Sequence, residues 1–293
     1  MREYEAIKQE YADGIHKLND DEYIGDNGLP YCKKCHTPKW YVYDEMACPV
    51  LCKCQEEAQA RHEEAAARQK MFDAFNDRQK LSLLGERYKN VMFGKAMITD
   101  NNRTVYEKCK RYVEKAKEMR DHNIGLYIFG VNSSGKTFLT ACICNELLWR
   151  GYRCVYTNLA NMLHEIQSGY SGGGMGELEL LRRLQSYDFA FIDDLGKEFI
   201  GRESKINSSK WAESKLFEII NARYNAQKPT VFTSNYSIEE LDDKLTFDAA
   251  IVERITEMAT VNMRLSGDNF RKDTRRDKRE IAVSYTHLRA HET

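Results

Sequence analysis

The chain has almost no net charge. Its 293 residues carry 44 Lys and Arg against 45 Asp and Glu, a formal charge of −1. A globally basic surface is thereby excluded, so any contact with nucleic acid must come from local patches. Long apolar runs are missing as well. None reaches the ~20 residues of a membrane helix, and no charged-then-apolar leader opens the sequence. These absences predict a soluble, cytoplasmic protein with no membrane partner. Internal repeats are also absent. Between Gln55 and Lys80 there is neither proline nor glycine, and Ala, Glu, Gln and Arg dominate. That composition predicts a charged helix connecting two domains.

Cysteine is present but unevenly placed. Of nine, Cys32, Cys35, Cys48, Cys52 and Cys54 crowd one short segment, whereas Cys109, Cys142, Cys144 and Cys154 are scattered. The scattered four read as small core residues. In a cytosolic chain the crowded five suggest a metal site rather than disulfides. Cys32-Lys-Lys-Cys35 makes a tight knuckle, and thiolates at such spacing suit tetrahedral Zn²⁺. The preferred ligands are Cys32, Cys35, Cys52 and Cys54, with Cys48 or His36 as substitutes. A redox CxxC is the alternative, but no thioredoxin-like βαβ unit surrounds it. The first 54 residues hold too little apolar material for a good core, and metal binding would supply folding energy.

The richest motif is Gly130-Val131-Asn132-Ser133-Ser134-Gly135-Lys136-Thr137. It is a phosphate-binding loop, preceded by an apolar run at Gly125–Phe129 that reads as a buried strand and followed by a helix over Thr137–Trp149 that brings in Phe138. Backbone N–H groups at the helix start make an anion site for a triphosphate. Lys136 would lie against the β- and γ-phosphates, and the Thr137 hydroxyl would join a Mg²⁺ shell. Downstream, Phe189-Ala-Phe-Ile-Asp193-Asp194 is an apolar strand ending in two acids. The first would hold the Mg²⁺ shell and the second would polarise the attacking water, with Glu198 close enough to share that role. Thr233-Ser234-Asn235 ends another apolar strand. Its amide bridges water and γ-phosphate, or simply caps the strand end.

Strands and helices alternate from Gly125 onward. Strands are expected at 153–157, 187–193, 230–235 and 260–265, and helices at 159–167, 211–226 and 249–258. An amphipathic helix is expected over 103–119. Alternation with short loops predicts an α/β fold with a mainly parallel sheet covered on both faces. Ligands in such sheets bind at the carboxyl ends of the strands, where these motifs fall. Two loops stand out, 168–176, rich in glycine, and the polar stretch 197–210.

The order of these motifs resembles AAA+ ATPases, and more closely the DnaC/DnaI-type replicative helicase loaders and their IstB-like relatives. The matching stretches are 129–139, 191–196 with Glu198, Asn221–Tyr224 running through Lys228–Asn235, Val252–Ile255 and Gly267–Arg271. The resemblance covers about residues 85–275. It implies ATP as ligand, Asn235 as first sensor, Arg254 as an arginine finger reaching a neighbouring subunit and Arg271 as second sensor. It also implies a ring helicase and single-stranded DNA as partners, and assembly into a spiral hexamer. DnaI-type loaders carry an N-terminal zinc module that binds the helicase, whereas IstB-like proteins generally do not. Two departures matter. Ser133 stands where loaders often have Gly, and Asp194 where most AAA+ proteins have Glu, which implies slow hydrolysis.

Lys210 and Trp211, with Arg202, Lys205 and Lys215 nearby, suit stacking and phosphate attraction on single-stranded DNA. Equally, Trp211 could pack a helix start on the core. The basic run Arg271–Arg279 reads as a solvated face or a DNA patch. Residues 283–293 read as translated transposase-adapter DNA. The expected layout is therefore a zinc module at 1–54, a helical connector at 55–84, an ATPase domain at 85–282 and the adapter-derived tail.

Overall fold

The computed structural model describes residues 2–170, 176–197, 206–245 and 247–266. The chain divides into two units, with the break inside one helix, between Asp73 and Ala74. The predicted connector helix is real and slightly longer than expected, α2 spanning Lys53–Leu81.

Before α2 the first unit holds β1 (Arg2–Glu3), α1 (Tyr4–Ala12), β2 (Glu22–Ile24), β3 (Pro30–Cys32), β4 (Trp40–Tyr43) and β5 (Met46–Pro49). Strands β1, β5 and β4 form one antiparallel sheet, and β2 and β3 a hairpin. Helix α1 is short. It ends at Ala12, because Gly14 turns into the left-handed region at φ +70°. Ile7, Leu29 and Ala47 are the fully buried apolar residues of this unit's cluster, with Tyr4, Tyr11, Trp40 and Val42 packed around them. So small a core leaves room for a metal to matter.

The second unit contains α3 (Arg103–Glu114), α4 (Ala116–Asp121), β6 (Leu126–Phe129), α5 (Lys136–Trp149), β7 (Cys154–Asn158), α6 (Leu159–Tyr170) and α7 (Glu177–Ser186). It continues with β8 (Phe189–Leu195), α8 (Ile206–Asn225), β9 (Thr230–Ser234), α9 (Ile238–Leu245), α10 (Ala249–Met258) and β10 (Val261–Arg264). The five strands are all parallel, in the order β10-β6-β9-β8-β7. One face of the sheet packs against α3 and α5 through Val105, Cys109, Ile143 and Leu147. The other packs against α6, α7, α8 and α10 through Met162, Leu184, Leu216 and Ile255. The four scattered cysteines are buried in the first of these cores.

Two departures from expectation have local causes. The helix expected over 103–119 breaks at Lys115, whose φ −96° and ψ 22° end α3 and start α4. Helix α7, just after the glycine-rich loop 168–176, was not expected from the sequence. Its carbonyl end is capped by basic side chains. Arg223 on α8, 0% exposed, donates to the carbonyls of Leu184, Tyr187 and Pro229 and to Thr230 Oγ1. Arg153 and Lys228 add bonds to the carbonyls of Ser186 and Gln185. Cations at a helix carboxyl end complement its dipole. Burial pulls the Arg223 pKa down to about 10, which leaves it charged at neutral pH. Among the described residues no helix is long and apolar enough to cross a membrane.

Candidate nucleotide and metal sites

The phosphate loop joins β6 to α5 with two sharply bent positions. Gly130 has φ +153°, and a Cβ there would stand 2.3 Å from the Leu265 carbonyl oxygen, so only glycine lets β10 approach. Gly135, at φ +97°, turns the chain into α5. Ser133 also lies in the left-handed region, φ +69°, a conformation that glycine adopts without strain. The loop's departure from the loader pattern therefore falls on a strained residue.

Lys136 begins α5 and is buried. Its ammonium donates to the carbonyls of Gly130 at 2.8 Å and Val131 at 3.0 Å, and to Asn235 Oδ1 at 3.0 Å. The loop lysine and the amide after β9 thus meet. Next to it, Thr137 Oγ1 donates toward both oxygens of Asp193, at 3.2 and 3.1 Å. Thr233 Oγ1 donates to Asp193 Oδ1 at 2.5 Å. Burial raises the Asp193 pKa, with the adjacent Asp194 adding to it, while the hydroxyls of Thr233 and Thr137 oppose the shift. Asp194 has φ +55° and an ion pair with Lys197 at 3.4 Å.

A cavity of about 370 Å³ opens beside the loop, lined by Ser133–Leu139 and Asp194 on one side and by Arg87, Tyr88, Val91, Met97 and Tyr106 on another. The sequence reading missed this second wall, because residues 81–102 show no regular period. The aromatic pair Tyr88 and Tyr106 was the available signal. Ser134 Oγ lines the same cavity, buried and without a hydrogen-bond partner. A buried orphan hydroxyl at a helix amino end fits a polyanionic phosphate chain. The oxygen-only set of Thr137 and Asp193 fits a hard cation such as Mg²⁺.

Other predicted residues stand apart from this cavity. Arg254 lies on α10, where Nη1 donates to the Ala250 carbonyl and the guanidinium sits over the rings of Phe217 and Tyr224, at 4.9 and 5.6 Å. It is not among the cavity-lining residues. Trp211 is half-buried against the second core while Lys210 is exposed. Lys215 is engaged by Glu177 and Glu218, at 2.6 and 3.0 Å. Glu198, Arg202, Lys205, residues 171–175 of the glycine-rich loop, Arg271, the basic run after it and the tail 283–293 lie outside the described residues.

In the first unit the Sγ atoms of Cys32, Cys35, Cys52 and Cys54 all lie within 4.8 Å of one another. Cys54 Sγ is 3.5 Å from that of Cys32 and 3.3 Å from that of Cys52. Tetrahedral zinc with ~2.3 Å bonds separates its sulfurs by about 3.8 Å, so this cluster fits the ion. Cys48 sits on β5, outside the group, and His36 Nδ1 is 3.3 Å from the Tyr23 hydroxyl. The Thr37 hydroxyl, at 3.0 Å, holds the Cys35 pKa down to about 5. Backbone N–H groups of Cys35 and Lys34 lower that of Cys32. The neighbouring Cys52 and Cys32 thiols push Cys54 up to about 12. Crowded sulfurs cannot all ionise without a cation among them.

The sequence model of the family described as IstB-like ATP binding protein matches residues 107–278. Over 135 residues the chain is 30% identical to the replicative helicase loader DnaC of Escherichia coli, covering 46% of this chain and 50% of that protein. Over 158 residues it is 27% identical to the replicative helicase loader DnaI of Bacillus subtilis, covering 50% of this chain and 47% of that protein. The chain thus spans about half the length of the curated relatives it matches. The solved structure of the DnaC helicase loader is similar with a TM-score of 0.52 at 20% identity, covering 62% of this chain and 100% of that one. At that identity the likeness speaks for the fold, a parallel sheet flanked by helices.

Proposed function

The chain belongs to the family of IstB-like ATP binding proteins, and on that premise we propose that it is an ATP-driven loader that places a replicative ring helicase on single-stranded DNA. One observation carries this reading. A cluster of four cysteine sulfurs whose spacing suits zinc stands in a unit of its own ahead of the nucleotide site in the chain, which is the layout expected of a loader that docks its helicase through a metal module.

Lys136 holds the β- and γ-phosphates in the loop, and Ser134 adds its free hydroxyl. A Mg²⁺ held by Thr137 and Asp193 supplies charge neutralisation on the phosphates. Asp194 accepts a proton from the attacking water, with Glu198, four residues on in the chain, as a second candidate acid, and Asn235 orients water and γ-phosphate. Turnover is slow, since Asp is one methylene shorter than the usual Glu, and DNA stimulates it. Arg254 completes the pocket of a neighbouring subunit in a spiral hexamer, and Arg271 reads nucleotide in its own. Lys210 and Trp211 contact single-stranded DNA.

Purification of the tagged chain from its host in the presence of ATP tests the reading. A ring helicase should copurify and be lost from a Cys52→Ser variant. Copurification with a helicase that is indifferent to the cysteines removes the zinc module from the docking role. The family match favours a second reading, a transposition helper that assembles on DNA and recruits a transposase. A copurifying transposase in place of a helicase decides for it.

A further inference from the structure

Strands β8 and β9 lose register at one place. Ile192 pairs with Phe232 and Leu195 with Ser234, so Asp193 and Asp194 together face Thr233. Two residues against one make a β-bulge, and bulges beside active sites re-aim side chains. Asp194 is the distorted member, at φ +55°, where an L-residue is strained. The Thr233 side chain spans the distortion. Its Oγ1 accepts the Asp194 N–H at 2.9 Å and lies 2.5 Å from Asp193 Oδ1. A hydroxyl has one proton. With the Asp194 amide as donor, that proton goes to Asp193. Thr233 is 1% exposed, so water does not substitute for either bond.

We infer that Thr233 is a positioning residue for hydrolysis: its hydroxyl locks the bulge and sets where the Asp194 carboxylate stands relative to Asp193. This rests on the reading of Asp194 as the base. Valine has the shape of threonine and makes neither bond, which leaves the Asp194 N–H without its partner and the left-handed turn unsupported. Serine keeps both bonds and loses a methyl group.

Steady-state ATP hydrolysis by Thr233→Val, Thr233→Ser, Asp194→Asn and the double variant Thr233→Val/Asp194→Asn tests the inference. Thr233→Val should lose kcat by about ten- to a hundredfold, as small misplacements do. Its KM should stay within about twofold, because the phosphate contacts are untouched. Thr233→Ser should regain most of the rate. The double variant should be no slower than Asp194→Asn alone, since a residue acting through Asp194 has nothing left to position. If Thr233→Val does not fold, Thr233→Ser against Thr233→Ala makes the same comparison, because those two differ by the hydroxyl. Parent kcat in Thr233→Val, or a double variant slowed by the product of the single effects, overturns the inference. Parent turnover in Asp194→Asn instead removes the reading it rests on, a result visible without any Thr233 variant.

Discussion

Lys136 Nζ and Asn235 Oδ1 lie 3.0 Å apart, which joins the residue that opens α5 to the residue that follows β9. Those positions are far apart in sequence and meet because β6 and β9 are adjacent in the sheet. Lys136→Ala should abolish ATP binding, since the phosphates lose their main point charge. Asn235→Ala should still bind ATP and lose turnover, by about a hundredfold if its amide orients the water. Equilibrium binding of a fluorescent ATP analogue beside turnover separates them. Equal loss of binding in both variants would make Asn235 a scaffold for the lysine.

Ser133 holds a left-handed backbone in the phosphate loop. Glycine relieves that strain but loses more entropy on folding, so Ser133→Gly should stabilise the protein by about 0.5–1 kcal/mol net. Urea denaturation reads this directly. A lower midpoint in the glycine variant contradicts the strain.

The raised Asp193 pKa comes first from burial. A buried acid with a raised pKa stabilises the fold below its unfolded value of 3.8, and that stability is lost as pH rises through the folded value. At neutral pH the nucleotide-free protein therefore carries a destabilising charge. Asp193→Asn should melt higher than the parent at pH 7 without nucleotide, and their difference should shrink toward pH 3.5. It should also lose Mg²⁺-dependent hydrolysis. A lower melting point at neutral pH shows that the Thr137 and Thr233 bonds outweigh burial.

The purified chain should contain one zinc. Chelation should unfold the unit before Asp73 and spare ATP binding, because the second unit has its own two-sided core. Zinc uptake at neutral pH should release protons from the thiols still protonated there, Cys54, pushed up to about 12, among them, and little from Cys35, held down to about 5. Affinity should fall with falling pH. Calorimetry in buffers of different ionisation enthalpy counts the protons. Metal-free protein from reducing purification with an intact first unit would falsify the zinc assignment.

Arg254→Ala should bind ATP normally and lose turnover and ATP-dependent oligomerisation. Its guanidinium rests on Phe217 and Tyr224, so some stability goes with it, about 0.5–2 kcal/mol for a half-buried cation–π contact. Mixing Arg254→Ala with Lys136→Ala should restore part of the activity, because one subunit offers a sound pocket and the other a sound finger. Mixed oligomers as inactive as either parent at every ratio leave Arg254 with a structural role, packing α10 against α8.

The strand–loop–helix around Gly130–Thr137, the acids at Asp193 and Asp194 and the cysteine spacing were legible in the sequence. Each is set by local requirements: a tight turn before a helix, an apolar run ending in charge, sulfurs at ligand distance. Helix α10 was placed at its observed ends because its apolar residues repeat at the helical period. What the tertiary structure decided depends on strands that are neighbours in space only. The pairing of Phe129 with Ser234 brings Lys136 to Asn235, and the register shift between β8 and β9 sets Thr233 against both acids. The cavity wall of Arg87, Tyr88 and Tyr106 and the burial of Arg223 follow the same rule. Sheet order and a single-residue register slip leave no periodic trace in a chain, because they are chosen by packing among segments rather than within one.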